Sequence, residues 1–189
     1  MRHLNFVLPL VLAGCGAVSI PIVTVSDSDG GFRPPMGRPC LDNLECGGGE
    51  LCDKLSCDDE FGRCVRRPAF CDGDARPECG CDGVTYWNDC LRRAAGVASR
   101  SARGECVNPR ACDDTTNPCP EGASCARLVF PNECSRPASG ACYVLPDVCA
   151  GDTRDHFFSC TDVGQSQCLD GCAAIRSGQK SVRFPGACP

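Results

Sequence analysis

The sequence predicts a small disulfide-rich fold that is built as two tandem units. The chain has 21 cysteines in 189 residues, a density typical of secreted disulfide scaffolds. Large apolar side chains are scarce, with one Trp and two Tyr beside 21 Gly and 15 Pro. Neither unit can therefore bury a self-sufficient core. Disulfides, each contributing on the order of 2–4 kcal/mol, are expected to supply the missing stability.

Twenty of the cysteines fall into two runs of ten, which indicates an internal duplication. Intervals of six, seven and sixteen residues recur at matching steps of the two runs, and the pattern Gly-x-Cys-x3-Pro-x2-Cys-x-Gly-Asp occurs at residues 62–74 and again at 140–152. We therefore divide this part of the chain into a first unit at 40–106, a joint at 107–111 and a second unit at 112–188.

Zinc ligation is the alternative use of so many cysteines, and the sequence disfavours it. Structural zinc sites commonly use paired Cys-x2-Cys knuckles, which do not occur here, and the only histidine beyond His3 is His156. Disulfides persist outside the cytosol, and the N-terminus carries an export signal. No metal or cofactor is expected.

Residues 1–14 are predicted to be a lipoprotein signal peptide. Leu4 to Leu12 is apolar but too short to span a bilayer, and it leads into Leu12-Ala13-Gly14-Cys15. This tetrapeptide resembles the bacterial lipoprotein box, and the resemblance implies cleavage before Cys15 and lipidation of its thiol. Cys15 is also the one cysteine outside both runs. The alternative is an ordinary secretory leader followed by a stray thiol.

Residues 15–39 are then a lipidated flexible linker, because residues 16–39 are rich in Pro, Gly, Ser and Asp and hold no cysteine. The mature protein is expected to be exported and lipid-anchored to a bacterial membrane, at the outer membrane or the cell surface. Several acyl chains give durable attachment, since each buried CH2 adds about 0.8 kcal/mol.

Local signals predict a hairpin and a helix late in the first unit. Asp82-Gly83 is typical of a tight turn and precedes Thr85-Tyr86. Asn88 is suited to cap a helix that runs through Cys90 to Ala95 and ends at Gly96. Residues 40–64 predict two or three short strands crossed by disulfides.

The segment Cys79-Gly-Cys-Asp-Gly-Val-Thr-Tyr-Trp-Asn-Asp-Cys90, which is followed by Gly-Glu-Cys at residues 104–106, resembles a Kazal domain. The spacings from Cys71 to Cys79, on to Tyr86 and on to Cys90 are those of this family of serine-protease inhibitors. The preceding Cys46-x5-Cys52 resembles the hairpin of follistatin-like modules. The resemblance implies that the first unit ends in a short antiparallel hairpin plus one helix.

The resemblance also implies a disulfide pattern, from which this chain departs at one position. Arg93 stands where the family has its fifth cysteine, and Cys81 is an additional cysteine. If Cys81 takes over that role, the implied pairs are Cys64–Cys81, Cys71–Cys90 and Cys79–Cys106. Sequence alone leaves fifteen pairings of six cysteines open.

The mechanism that the resemblance implies is insertion of a rigid convex loop into a protease cleft, in the manner of a substrate. By position Gly73 would fill the specificity pocket, and Gly73–Asp74 would be the bond presented. The residues expected to support this loop are Asp72, Pro77, Tyr86 and Asn88.

Glycine places no side chain in a pocket and loosens the backbone. The expected partner is therefore a small-pocket serine protease, elastase-like or subtilisin-like. The alternative is another extracellular protein, bound by a non-inhibitory interaction or adhesion module on the same scaffold.

The second unit keeps the cysteine count but lacks the Asp-Gly-x-Thr-Tyr signature, so we expect a diverged copy. A helix is predicted from Cys172 towards Gly178, and Gly151 corresponds to Gly73. An enzyme is not expected, because His156 has no evident partners for a catalytic triad. Nucleic-acid binding is not expected either, because the net charge is −5 and the basic residues are scattered.

Overall fold

The computed structural model describes residues 37–113, 116–150, 156–161 and 168–184, without the side chains of residues 101, 102, 131 and 184. All of these residues belong to one compact unit that spans residues 35–189. The predicted signal peptide, Cys15, nearly all of the predicted linker and Gly151 lie outside the described residues.

Short strands dominate the described ranges, with two helices among them. The strands are β1 (Pro39–Cys40), β2 (Glu50–Asp53), β3 (Gly62–Arg66), β4 (Glu78–Gly80), β5 (Thr85–Tyr86), β6 (Ser99–Arg103), β7 (Ala111–Cys112), β8 (Ala123–Val129), β9 (Gly140–Val144), β10 (His156–Ser159), β11 (Leu169–Asp170) and β12 (Lys180–Phe184). The helices are α1 (Asp89–Ala95) and α2 (Gly171–Arg176), with single 3-10 turns at Asn43–Glu45 and Pro131–Glu133. Within these ranges, every helix is too short or too polar to cross a membrane.

The N-terminal part of the first unit is a three-stranded antiparallel sheet in the order β1-β3-β2. Cys52 on β2 lies directly opposite Cys64 on β3. The disulfides Cys40–Cys52 and Cys46–Cys64 cross this sheet, and Cys40, Cys52 and Cys64 form its small buried cluster. These are the disulfide-crossed strands predicted for residues 40–64.

The hairpin and helix predicted for the end of the first unit are confirmed. Strands β4 and β5 pair antiparallel, and Gly83 in the turn has φ 77°, a left-handed conformation that glycine adopts without steric cost. Asn88 caps α1, since its side chain accepts the Leu91 N–H, and Gly96 ends the helix with φ 74°. The predicted fold class, disulfide-rich with a Kazal-like hairpin and helix, is therefore confirmed.

The two units share a nine-stranded sheet, which the sequence did not predict. Its order is β11-β10-β12-β8-β9-β5-β4-β6, and β7 pairs with β9 off this path. The junction is a parallel pairing of β5 with β9, in which Thr85 lies opposite Tyr143 and Tyr86 lies opposite Val144. The Kazal-like hairpin is thus hydrogen-bonded to the second unit.

The disulfides preserve the predicted duplication. Counted along each run, the first cysteine pairs with the third, the second with the fifth and the sixth with the ninth, in both units. These pairs are Cys40–Cys52, Cys46–Cys64 and Cys71–Cys90, matched by Cys112–Cys125, Cys119–Cys142 and Cys149–Cys172. The fourth cysteine pairs differently, in Cys57–Cys81 and Cys134–Cys160. Each of the disulfides described joins two cysteines of the same run.

The structure contains Cys71–Cys90 and Cys79–Cys106, but the implied pair Cys64–Cys81 is wrong. Cys64 bonds to Cys46, and Cys81 bonds to Cys57. The physical reason is the register of the β2–β3 hairpin, which places Cys64 inside the N-terminal sheet. Cys81 follows β4, where its N–H donates to the Ala98 carbonyl.

The sulfur atoms that come close enough together to suggest metal sites are all in disulfides. Two such groups are trios of cysteines, and a third combines Cys149 and Cys172 with Asp170. Every cysteine in them is disulfide-bonded. Their sulfurs are therefore not the free thiolates that zinc requires.

Candidate functional site: the loop around Gly73

The loop predicted to be the reactive one, residues 71–77, is attached to the Kazal-like core at both ends. At its start, the Cys71–Cys90 disulfide links it to α1. At its end, the Arg76 N–H donates to the Trp87 carbonyl at 2.9 Å, and the Pro77 carbonyl accepts the Gly104 N–H at 2.9 Å. Pro77 thus lies at the C-terminal end of the loop.

Asn88 contacts the loop as predicted and caps α1 with the same side chain. Its Nδ2 donates to the carbonyls of Asp72, at 2.9 Å, and Asp74, at 3.2 Å. Its Oδ1 accepts the Leu91 N–H at 3.0 Å. Since Asn88 is only 2% exposed, these hydrogen bonds satisfy a polar group that would be costly to bury alone.

The outer face of the loop is polar and self-paired. The Asp72 carboxylate accepts from Arg76 Nη2 at 2.8 Å and from the Asp74 N–H at 3.2 Å. The side chains of Asp72, Asp74 and Arg76 are all more than half exposed. Ion pairs at this exposure stabilise little. These charges therefore make the outer face of the loop polar but add little to its rigidity.

Trp87 is the functional residue that sequence reasoning missed. Its indole Nε1 donates to the Gly73 carbonyl at 2.9 Å. The ring is 7% exposed and packs in a cluster with Ala126, Tyr143 and Ile175 of the second unit. The one available signal was that Trp87 is the only tryptophan in the chain and stands directly before Asn88.

Gly73 faces the second unit. A Cβ at this position would lie 2.9 Å from the Cβ of Ala150 and 3.3 Å from the Val148 carbonyl oxygen. Cβ atoms do not approach other atoms as closely as 2.9 Å without displacement. The side of Gly73 from which a side chain would project is therefore covered by residues 148–150 of the same chain, while Gly73 as a whole is half-buried.

Asp170 is the second unit's counterpart of Asn88. Each lies two residues before the ninth cysteine of its run and caps a helix, since Asp170 Oδ1 accepts the Ala173 N–H at 2.8 Å. An ionised carboxylate has no hydrogen to donate. Asp170 can therefore cap α2, but it cannot donate to loop carbonyls as Asn88 does.

Tyr86 was expected to support the loop, but the structure places it on β5, with its hydroxyl at the hairpin turn. Its hydroxyl donates to Asp82 Oδ2 at 2.8 Å. Burial raises the pKa of Tyr86 well above its ordinary value, and the hydrogen bond to the Asp82 carboxylate raises it further. Tyr86 therefore stays neutral and supports the loop only through the β4–β5 hairpin.

Tyr143, like Tyr86, has a buried hydroxyl that hydrogen-bonds to a carboxylate, but here the bond joins the two units. Burial is the main cause that raises its pKa, and the neighbouring Glu105 carboxylate, to which it hydrogen-bonds, adds to the effect. Because Tyr143 lies on β9 and Glu105 in the first unit, this buried hydroxyl joins the two units beside the β5–β9 pairing.

Arg93, which replaces the family's fifth cysteine, connects α1 to the N-terminal sheet by charge. Its Nη2 and Nε donate to Asp53 Oδ2 at 2.5 Å and 3.1 Å. The neighbouring Arg92, 3% exposed, donates to Asp53 Oδ1 at 3.2 Å and to Asp89 Oδ1 at 2.5 Å. An ionic network thus joins α1 to β2.

Comparison with known proteins agrees with this architecture. A family model described as a Kazal-type serine protease inhibitor domain matches residues 58–100, which include the loop, the β4–β5 hairpin and α1. The chain is also similar to follistatin of Xenopus laevis, with 26% identity over 185 residues, which covers 92% of this chain and 51% of that protein. The chain thus spans about half the length of that relative. The hairpin, the capped helix, the disulfides and both comparisons together show that this chain contains a Kazal/follistatin-like module.

Proposed function

We propose that this chain is a non-enzymatic extracellular protein-binding module whose Gly73 loop is not presented to proteases. The observation that carries the proposal is the covering of Gly73 by residues 148–150. A substrate-like inhibitor must place this residue in the pocket of the protease, and here the corresponding space holds Ala150 of its own chain.

The orientation of the Gly73 carbonyl supports the same conclusion. Serine proteases bind the carbonyl oxygen of the scissile bond with donors 2.7–3.1 Å away in an oxyanion hole. The Gly73 oxygen already accepts the Trp87 indole N–H at 2.9 Å. Docking in a protease cleft would require the loss of this hydrogen bond and the displacement of residues 148–150.

The second candidate is a serine-protease inhibitor that acts by loop insertion at Gly73–Asp74. It is favoured by the two hydrogen bonds from Asn88 to the loop carbonyls and by the Cys71–Cys90 disulfide, because a preorganised loop loses little entropy on docking. The family match over residues 58–100 supports it as well. For this candidate, an elastase-like or subtilisin-like enzyme with a small pocket is the expected target.

Inhibition assays separate the two candidates. The oxidised full chain, in molar excess over trypsin-, chymotrypsin-, elastase- and subtilisin-like proteases, is expected to leave their activity unchanged. Gly73→Arg is expected to remain inactive against trypsin, because the new Cβ would meet Ala150. Its matched control is Gly48→Arg, at a glycine with open space around its Cβ position. Stoichiometric inhibition by the wild type, or trypsin inhibition gained by Gly73→Arg alone, would establish the inhibitor.

The location of the module forms part of the same proposal. Disulfides throughout the described ranges support an extracellular compartment, and the Leu-Ala-Gly-Cys box at residues 12–15 supports lipid anchoring through Cys15. In a bacterial host, Cys15→Ser is expected to shift the protein from the detergent phase to the aqueous phase on phase partitioning. Ser19→Ala, in the predicted linker, is the matched control. Unchanged partitioning of Cys15→Ser would disprove anchoring at this residue.

A further inference from the structure

A large cleft separates the N-terminal sheet from the Kazal-like part, away from the covered Gly73. Its volume is about 1250 Å³, larger than the 300–1000 Å³ typical of small-molecule pockets. One wall is formed by residues 53–55 and 66–69, and the other includes residues 76–78, 88–90, 92, 93, 99, 103 and 104. We call this space the basic cleft because of the charges described next.

Cations outnumber anions along the basic cleft. Arg92 and Arg93 are neutralised internally by Asp53 and Asp89. Beyond this network the lining holds one acid, Glu78, and these cations: Lys54, Arg66, Arg67, Arg76 and Arg103. The chain as a whole has a net charge of −5. Positive charge is therefore concentrated in the basic cleft although the whole chain is negatively charged.

Four of these cations, Lys54, Arg66, Arg67 and Arg103, have no carboxylate of the described residues within 4.0 Å. Arg67 instead donates from Nε to the Glu50 carbonyl at 3.0 Å. Glu78 lies opposite Arg103 across β4 and β6 but accepts from the Ser99 hydroxyl at 2.6 Å. Arg66 and Arg103 are both exposed. They lie on opposite walls, where both can contact a ligand in the cleft.

The basic cleft also has an apolar rim. Leu55 is 86% exposed, and Pro68 and Ala69 line the same wall. An exposed leucine beside unpaired arginines suits a ligand that combines carboxylates with apolar side chains. A sulfated polysaccharide offers anions but no apolar groups, and would leave Leu55 in water.

We propose that the basic cleft binds an acidic polypeptide segment of an extracellular partner protein, with carboxylates on Arg66 and Arg103 and an apolar side chain on Leu55. This inference rests on the proposed function as a protein-binding module and names the chemistry of its partner. Charge complementarity of this kind fixes orientation and accelerates association. It does not require the Gly73 loop to be accessible.

The test uses the oxidised full chain and fluorescein-labelled oligoglutamate peptides, followed by anisotropy. The wild type is expected to bind, with affinity falling as salt rises from about 0.05 to 0.3 M. The variant Arg66→Glu/Arg103→Glu is expected to bind roughly tenfold more weakly or worse, because like charges then face each other. The control Arg100→Glu/Arg136→Glu changes two exposed arginines outside the cleft lining and alters the net charge equally, so it should stay within about twofold.

A second peptide tests the apolar rim. Inserting one leucine among the glutamates is expected to tighten binding to the wild type, and Leu55→Ser is expected to abolish that gain while oligoglutamate binding persists. Trp87 fluorescence checks that every variant is folded, since this is the only tryptophan.

Three outcomes would overturn the inference: no oligoglutamate binding by the folded wild type, equal weakening in the cleft variant and its control, or cleft-dependent binding of a heparin oligosaccharide without binding of either peptide. These results are distinct from failure of the proposed function. That failure would appear as stoichiometric protease inhibition, which does not depend on Arg66 or Arg103.

Discussion

Replacing Asp53 by alanine is expected to lower the free energy of unfolding by about 3 kcal/mol. Asp53 accepts hydrogen bonds from both Arg92 and Arg93, and its side chain is only 15% exposed. Without it, Arg92 and Arg93 share Asp89 as their one remaining carboxylate partner, so two adjacent cations, one of them buried, are left with a single anion. A buried charge that loses its partner costs far more than an intact pair contributes.

The measurement is urea unfolding of the oxidised full chain, followed by Trp87 fluorescence. Asp58→Ala, at an exposed acid in the same segment, is the matched control and is expected to change stability by less than about 0.5 kcal/mol. The double variant Asp53→Ala/Arg93→Ala should recover part of the loss, because it removes the outer of the two cations that are left with one carboxylate. A loss below about 1 kcal/mol for Asp53→Ala would show that the network does not hold α1 to β2.

The sequence was most informative where a signal is local. Asn88 was identified as a helix cap and a loop support because capping depends on residues three positions apart and the Kazal spacing fixes its neighbours. The turn at Gly83 and the helix end at Gly96 followed from the same kind of short-range chemistry. Cys71–Cys90 and Cys79–Cys106 followed from spacing within a single motif.

What escaped prediction depends on contacts between distant segments. The disulfide partner of Cys64 is decided by the register of β2 against β3, and no sequence pattern near Cys64 predicts that register. The β5–β9 pairing involves two residues of β5, too few for a periodic pattern. The covering of Gly73 follows from this pairing, so the sequence could place the loop correctly and still leave its exposure unknown.

The internal duplication predicted part of the structure of the second unit. Equal spacing in the two runs predicted equivalent units, and three equivalent disulfides occur in both. Asp170 in place of Asn88 shows where equivalence ends, because a carboxylate keeps the helix cap and loses the donors. The replacement of one amide by a carboxylate thus keeps the helix cap of the scaffold and removes the support of the loop.

Trp87→Ala is expected to lower the free energy of unfolding by about 4 kcal/mol. The buried ring packs with Ala126, Tyr143 and Ile175, so its removal opens a cavity between the units. Far-UV circular dichroism in urea measures the effect, because the variant lacks the fluorophore. Leu44→Ala, at a side chain that is 92% exposed, is the control and should change stability by less than about 0.5 kcal/mol.

Trp87→Phe separates packing from hydrogen bonding at the same position. Phenylalanine keeps most of the ring contacts but removes the N–H that donates to the Gly73 carbonyl, so we expect a loss of about 1–2 kcal/mol. If Trp87→Phe lost as much stability as Trp87→Ala, the hydrogen bond to the Gly73 carbonyl, and not the packing of the ring against the second unit, would account for most of the stability that Trp87 contributes. If Trp87→Ala matched Leu44→Ala, the units would not be held together by this cluster, and the covering of Gly73 would lose its physical cause.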